Sequence, residues 1–370
     1  MTSGFVPPPY PQDRLNEIRK LPESYGHELL DLSIGTPIDP VPEIAMALGA
    51  SLAAARGYPS SLGSLSLREA AATWMGYRFD VEVGVDAVGA CVGSKEFVAS
   101  LPQYLKLRDP SRSTVLYPSV SYPTYAMGAT LAGCDAVAVP VGKDGELDFS
   151  EIPPRVLDDT LCCWVNSPSN PTGKVSGYDQ VVALGREYGF VVVSDECYVE
   201  FTWNSSPATV LELGAQGVLA LHSLSKRSNF AGGRVGFYAG DQHLVSYLSE
   251  VRKHAGAMVA GPMQIIAAAL LGDQEHVEAQ RELYRQRLEI LISIAAALDF
   301  DVAMPEGGFY VWIDGGDKDG FELARLFAMR TGIVGSPGEF YGSSSKDFLR
   351  IAAVAPTSKL SAIAASLLGN

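Results

Sequence analysis

Residues Leu161–Glu196 read LCCWVNSPSNPTGKVSGYDQVVALGREYGFVVVSDE. An apolar run, Leu161–Val165, ends in the turn-rich cluster NSPSNPTG. Tyr178–Tyr188 then has helical spacing, and a second apolar run, Phe190–Val193, ends in Ser-Asp-Glu. Neither run alternates cleanly between apolar and polar residues. That suits strands covered on both faces, the habit of a mostly parallel sheet with helices packed on it. The segment therefore predicts a strand–helix–strand unit. Its polar residues, Asn166 to Asn170 and Asp195, lie just past the carboxyl ends of the strands, where open α/β sheets gather ligands.

The same rhythm extends in both directions. Val88–Val92 leads through GSKE to a helix over Phe97–Leu105, and Thr114–Tyr117 to a helix within Tyr122–Leu131. Ala136–Pro140, Val218–His222 and Val235–Ala239 are further strands. Helices are expected at Asp13–Leu21, Ile44–Ala55, Ser66–Gly76, Leu244–Ala257, Met263–Leu271 and 276–298. After residue 300 the texture changes. Strands at Gly308–Ile313, Ile333–Val334 and Phe348–Ala352 are interleaved with helices at Phe321–Arg330 and Lys359–Leu368. The expected organisation is an N-terminal arm with part of a small domain over 1–40, a large α/β domain over 41–275, and a small α+β domain over 276–370, with helices on both faces of the large sheet.

Composition bounds the function. The chain has 370 residues, 47% of them hydrophobic, enough for more than one domain. Its formal net charge of −14 argues against nucleic acid or an anionic membrane as partner. A phosphorylated small molecule stays compatible, since it needs only a local positive pocket. The five cysteines show no zinc spacing and suit a reducing compartment, with Cys162 and Cys163 as buried small side chains. The N-terminus lacks the pattern of a secretion signal, and the most apolar stretches are too short to span a bilayer. A cytoplasmic, soluble protein is expected.

The chemistry concentrates at Lys226, in LALHSLSKRSNFAGGRVGF. Ser223, Ser225 and Arg234 accompany it in a glycine-containing stretch. Hydroxyls, a guanidinium and backbone N–H groups are what a phosphate monoester needs, and an amine beside them can bond an aldehyde. On its own, Lys226 could equally be a solvated strand end. Asp195, in VVVSDECY, is a carboxylate at a strand end that could cap the following helix. Asn170, in NSPSNPTG, is explained about as well by turn chemistry. Ser94, in VGSKE, opens a helix after a glycine, which makes an anion cradle. Tyr122, in SVSYPTY, could be core packing or a stacking ring.

SLSKRSNFAGGRVGF resembles the lysine signature of the class I/II aminotransferases, the fold type I enzymes that use pyridoxal 5′-phosphate (PLP). DECY resembles the DEAY form of a second signature of that family, and NSPSNPTG its N-x-P-x-NPTG loop. The matches run from about Gly35 to Arg350, nearly the whole chain. The resemblance implies a large domain with a mostly parallel sheet plus a small α+β domain. It implies Lys226 as the Schiff-base lysine, Arg234 and Ser223 at the cofactor phosphate, and Ser94 and Lys95 as donors of backbone N–H groups to it. It places Asp195 against the pyridine nitrogen, Tyr198 and Asn170 at the 3′ oxygen, and Tyr122 stacked on the ring, with Tyr125 as the lesser candidate. Asn166 is a loop organiser, and Cys197 a small replacement for alanine. Gly35, in DLSIGTPIDP, and Arg350, in KDFLRIA, would meet the substrate carboxylate. Tyr58, in ARGYPSSLGSLSLREA, would reach the phosphate of a neighbouring subunit's cofactor, so a homodimer with shared active sites follows.

PPPYPQDRLNEIRKL, DLSIGTPIDPVP and YPSVSYPTY further resemble the succinyldiaminopimelate aminotransferases of actinobacteria. That implies N-succinyl-LL-2,6-diaminopimelate and 2-oxoglutarate as substrates, in lysine biosynthesis. Arg19, Lys20 and Arg227 are candidates for the succinyl end. An aminotransferase for aspartate or an aromatic amino acid, or a PLP-dependent carbon–sulfur lyase, would carry the same motifs. A PLP-sensing protein is disfavoured, because the first 30 residues are too short and too weakly basic for a DNA-binding extension.

Overall fold

The computed structural model describes residues 8, 11–48 and 56–369. The chain divides into two compact units. One comprises Met1–Gly35, Gln286–Met304 and Tyr310–Asn370, and the other Thr36–Arg285 and Pro305–Phe309. The strands, in chain order, are β1 (Leu30–Asp31), β2 (Val88–Cys91), β3 (Thr114–Pro118), β4 (Asp135–Val139), β5 (Thr160–Asn166), β6 (Val191–Asp195), β7 (Val218–Ser223), β8 (Gly236–Gly240), β9 (Tyr310–Asp314), β10 (Ile333–Val334), β11 (Ser336–Pro337) and β12 (Phe348–Ala352).

In the larger unit β2 to β8 form one sheet in the order β2-β8-β7-β6-β5-β3-β4. The pairs from β7 to β4 are parallel, and β8 runs antiparallel to both β7 and β2. The absence of alternation in the sequence now has its cause. β2, β5, β6, β7 and β8 are buried along their whole length, because both faces carry helices. One face buries Leu116, Cys163, Val192 and Ala220 against Leu67, Trp74, Val181 and Ile266 of helices Leu65–Phe79, Asp179–Tyr188 and Gly261–Gly272. The other buries Val115, Trp164, Val193 and Leu221 against Phe97, Tyr125 and Leu244 of helices Ser94–Arg108, Thr124–Leu131 and Gln242–His254. Alternate residues of each strand thus serve opposite cores. This is the fold type I architecture expected from the sequence.

Local signals set the helix ends. Ser64 caps Leu65–Phe79 by accepting from the Leu67 N–H, and the helix closes on Asp80 in the left-handed region. Gly93, at φ 75°, lets β2 turn directly into helix Ser94–Arg108. The expected helix Ile44–Ala55 is observed over Glu43–Leu48, and its remainder lies outside the described residues. Asp13–Leu21 is realised as two 3₁₀ turns, Pro11–Leu15 and Ile18–Lys20, followed by the single α-turn Leu21–Ser24.

The smaller unit holds an antiparallel sheet, β11-β12-β9, and a parallel pair, β1 with β10. The helix Glu275–Ala296 starts in the larger unit and ends in the smaller. No described helix is long and apolar enough to cross a membrane, and among the described residues no cluster of His, Cys, Asp or Glu could hold a metal ion. All five cysteines are free, and Cys162 and Cys163 are fully buried.

Candidate active site

Register alone assembles most of the site. Asn166, the last residue of β5, lies beside Asp195, the last of β6. Asp195 lies beside Leu221 of β7, two residues before Ser223. Ser223 pairs with Gly236 of β8, which pairs with Cys91 at the end of β2. Residues from Cys91 to Gly236 therefore meet along one sheet edge, at the carboxyl ends of the parallel strands (about 5 Å per strand step).

Asp195 is almost completely buried, at 6% exposure. Its Oδ2 accepts from the Tyr125 hydroxyl at 2.9 Å, and its Oδ1 from the Cys197 backbone N–H at 3.3 Å. Burial pushes its carboxyl above the usual range, and only the hydrogen bonds from Cys197 and Tyr125 pull against that. A buried carboxylate held by neutral donors alone is a seat for a cationic group. Tyr125 is in turn stacked on Trp164, with centroids 5.2 Å apart. Tyr122 is half-buried, meets Tyr125 edge-on at 5.9 Å, and lies 5.9 Å beneath the Lys95 ammonium.

The NPTG loop is tied to the same strand end. Asn166 Nδ2 donates to the Asp195 carbonyl at 2.7 Å, and Asn166 Oδ1 accepts from the Asn170 N–H at 2.7 Å. Asn170 Nδ2 in turn reaches the Tyr198 hydroxyl at 3.5 Å. The Ser167–Pro168 and Asn170–Pro171 bonds are cis.

Lys226 lies on the short turn Leu224–Arg227 that follows β7, and its Nζ sits 5.8 Å from the Phe309 ring. Phe309 also meets Tyr198 edge-on at 5.6 Å. Ser223 and Ser225 share a hydroxyl–hydroxyl bond of 2.9 Å. Arg234 adopts the left-handed region, at φ 51°, and its guanidinium donates to the Val92 and Ala231 carbonyls. It also packs against Gly93. A Cβ there would stand 2.1 Å from its Nη2, and at φ 75° any side chain would be strained, so glycine favours this approach of the guanidinium to the start of helix Ser94–Arg108. Gly236 is equally constrained, since its Cβ would meet the His222 carbonyl at 2.6 Å, with the Ser94 N–H close by. Hydroxyls, a guanidinium and helix N–H groups thus converge in one corner, which suits a phosphate.

Sequence reasoning ranked Tyr125 below Tyr122 and passed over Phe309 and the Cys197 N–H. The Y-x-x-Y spacing at the start of a helix was the available signal for Tyr125, because it puts both rings on one side. None of these contacts involves Tyr58, which is fully exposed. Gly35 and Arg350 belong to the smaller unit. There Arg350 is 4% exposed, donates to the Ser33 carbonyl at 2.7 Å, and lies 4.1 Å from the Tyr310 ring and 4.8 Å from that of Tyr341. The candidates for a distal carboxylate are otherwise engaged. Arg227 is buried and bound to Glu200 at 3.0 Å, Arg19 to Asp31 at 2.8 Å, and Lys20 to Glu17 at 2.6 Å.

Comparison with known proteins agrees with this geometry. Residues 27–367 match the family of class I and II aminotransferases. The 4-dedimethylamino-4-oxo-anhydrotetracycline transaminase of Streptomyces rimosus is 38% identical, over 97% of this chain and 99% of its own. The LL-diaminopimelate aminotransferase of Desulforudis audaxviator is 32% identical, over 95% and 93%. A probable N-succinyldiaminopimelate aminotransferase of Thermus thermophilus superposes with a TM-score of 0.86 at 28% identity, over 97% and 99%. The family's cofactor is PLP, and the buried Asp195, the hydroxyl pair and the Arg234–Gly93 cradle are the donor set such a molecule needs. The chain belongs to the class I and II aminotransferases and is a PLP-dependent enzyme acting on amino acids and 2-oxo acids.

Proposed function

We propose that the chain transfers the amino group of N-succinyl-LL-2,6-diaminopimelate to 2-oxoglutarate, working as a homodimer. The observation that carries transamination is the meeting of Lys226, Asp195, Ser223 and Arg234 on one sheet edge. The narrower substrate rests on resemblance at the N-terminal arm and early loop, and on the diaminopimelate-type aminotransferases among the relatives.

When bound, PLP supplies an aldehyde for the substrate amine and a ring that takes up the electron pair released at the substrate's Cα. The chain does the rest. Lys226 Nζ would take the proton from the substrate's Cα and deliver it to the cofactor carbon that takes up the amino nitrogen, as base and then acid. Asp195, oriented by Tyr125 and the Cys197 N–H, would hold a negative charge against the ring nitrogen. Ser223, Arg234 and the N–H groups of Ser94 and Lys95 hold the phosphate. Tyr198 and Asn170 would donate to the cofactor's 3′ oxygen, and Tyr122 would stack on its ring. Arg350 receives the substrate's α-carboxylate with its fork of donors.

Two measurements test this. Lys226→Ala should abolish the visible absorption band of the loaded protein, and borohydride should fix no cofactor to the variant. A reducible linkage that persists would remove Lys226 from its role. For the substrate, the loaded enzyme is mixed in single turnover with the succinylated compound, free diaminopimelate, aspartate and an aromatic amino acid. The succinylated compound should react fastest. Equal rates would sink the narrow assignment and leave the general one standing. The relationship to the Streptomyces rimosus transaminase, 38% identical, favours a second reading, amine transfer on a larger ketone. A bulky cyclic amine that outpaces every amino acid would support it.

A further inference from the structure

Behind Asp195, on the opposite face of the sheet, lies a second pair of ionisable groups. Glu196 follows Asp195, and His222 precedes Ser223. The Glu196 N–H donates to the Leu221 carbonyl at 2.9 Å, which clamps the two strand ends together. Strand alternation then sends the Asp195 and Glu196 side chains to opposite faces. Asp195 meets Tyr125, whereas His222 is enclosed by Trp74 at 5.0 Å, Phe237 at 5.0 Å and Phe79 at 6.0 Å. Glu196 is 1% exposed and His222 3%.

Glu196 Oε1 accepts from the Val210 N–H at 2.8 Å. Its Oε2 lies 3.3 Å from His222 Nε2, yet neither atom makes a hydrogen bond of acceptable geometry. An undissociated carboxyl resolves this, because its O–H can rotate onto a bare ring nitrogen. The adjoining cavity, of about 10 Å³, has room for at most one water. The charged and titratable groups facing the pair are Arg227 from the turn after β7, Glu212 from the turn Val210–Leu213, and Tyr178 ahead of helix Asp179–Tyr188. Arg227 opposes a charged imidazole, and Glu212 opposes a charged carboxylate.

We propose that Glu196 and His222 are a positioning pair that stays uncharged at neutral pH, with Glu196 a carboxylic acid donating to a neutral imidazole, so that the negative charge of the β6 end resides on Asp195. Two buried adjacent carboxyls cannot both ionise cheaply, and their environments divide the roles between them. Burial pushes Glu196 up to about 8 and His222 down to about 3, in keeping with a neutral pair. The strand ends bearing Asp195 and Ser223 are then held without an anion that would compete for the cofactor's positive charge. The inference rests on the role proposed for Asp195.

The experiment is infrared difference spectroscopy of the holoenzyme at neutral pH, wild type against Glu196→Gln. The wild type should show the carbonyl band of an undissociated acid that the variant lacks, and His222→Gln should shift that band. Glutamine copies a neutral acid in shape and donors, so Glu196→Gln should bind PLP within about threefold of wild type, the scale of one perturbed hydrogen bond. A difference spectrum with carboxylate bands only, or a loss of PLP affinity beyond about tenfold, would overturn the proposal. If Glu196→Gln does not fold, ¹³C-glutamate labelling of the wild type and of His222→Gln gives the same decision. The band is read with or without PLP, so failure of the Asp195 role and failure of this pair are told apart.

Discussion

At the residue scale the proposed chemistry turns on Asp195, a carboxyl that burial pushes up and two hydrogen bonds pull back. Asp195 sits at 6% exposure with only Tyr125 and Cys197 as hydrogen-bond donors. Asp195→Asn should preserve the fold and slow the half-reaction about a hundredfold, or roughly 3 kcal/mol in the transition state, since a preorganised charge is lost where charge develops. Rapid-scanning kinetics of one half-reaction would measure it, and an unchanged rate constant would rule the role out. Tyr125→Phe removes one neutral donor and should cost far less, about fivefold for roughly 1 kcal/mol. Asp195 was legible in the sequence because it ends a run of valines before a turn. Tyr125 was not, because its hydroxyl reaches Asp195 only once its ring is stacked on Trp164 of β5, which no local pattern records.

At the element scale, the strand–helix–strand units were legible because fully buried strands leave an unbroken apolar run and their helices keep a 3.6-residue period. The pieces that escaped are too short for a period. Leu224–Arg227, which carries Lys226, is a single turn, and β11 is two residues, one of them a proline. The turn is fixed instead by Arg227, whose guanidinium binds Glu200 at 3.0 Å and the Leu270 carbonyl at 2.6 Å. Glu200 also binds Arg78 at 2.8 Å and the Trp74 indole N–H at 3.0 Å. Arg227→Met should therefore destabilise the protein by about 3 kcal/mol, the lower end for breaking a buried pair, because Arg78 remains. Denaturant unfolding would measure it, and preference among substrates should not move. The Glu196–His222 pair predicts a pH effect on the same element. Glu196 in the folded chain is pushed up to about 8 from a usual value of 4.5, so its favourable contribution is full below the usual value and is lost as pH rises through the folded one. Relative to wild type, Glu196→Gln should gain stability between those limits, at up to about 1.4 kcal/mol per pH unit, and the gain should level off above. A pH-independent difference would contradict a buried neutral acid.

At the scale of the whole molecule the question is what covers the apolar surface of a single chain. Between residues 38 and 65, Ile38, Ile44, Met46, Tyr58 and Leu65 are exposed, with Tyr58 at 101%. An interface with a second copy is one way to cover such side chains where they form a continuous patch. A second copy would bury them and carry Tyr58 to the neighbouring cofactor, the role that the sequence resemblance implies. Each chain bears a net charge of −14, so a dimer would bear −28, twice that value. Association must then be driven by apolar burial against electrostatic repulsion. Light scattering at low micromolar concentration should give twice the chain mass of 39.4 kDa. Added salt should tighten the dimer, because screening weakens the repulsion and leaves the apolar contact intact. Tyr58→Phe should leave the mass unchanged and weaken PLP binding by roughly 1.5–3 kcal/mol, the worth of one hydrogen bond to a charged group. A monomer that holds PLP and turns over substrate would remove both the interface and the reason for placing Tyr58 in the site.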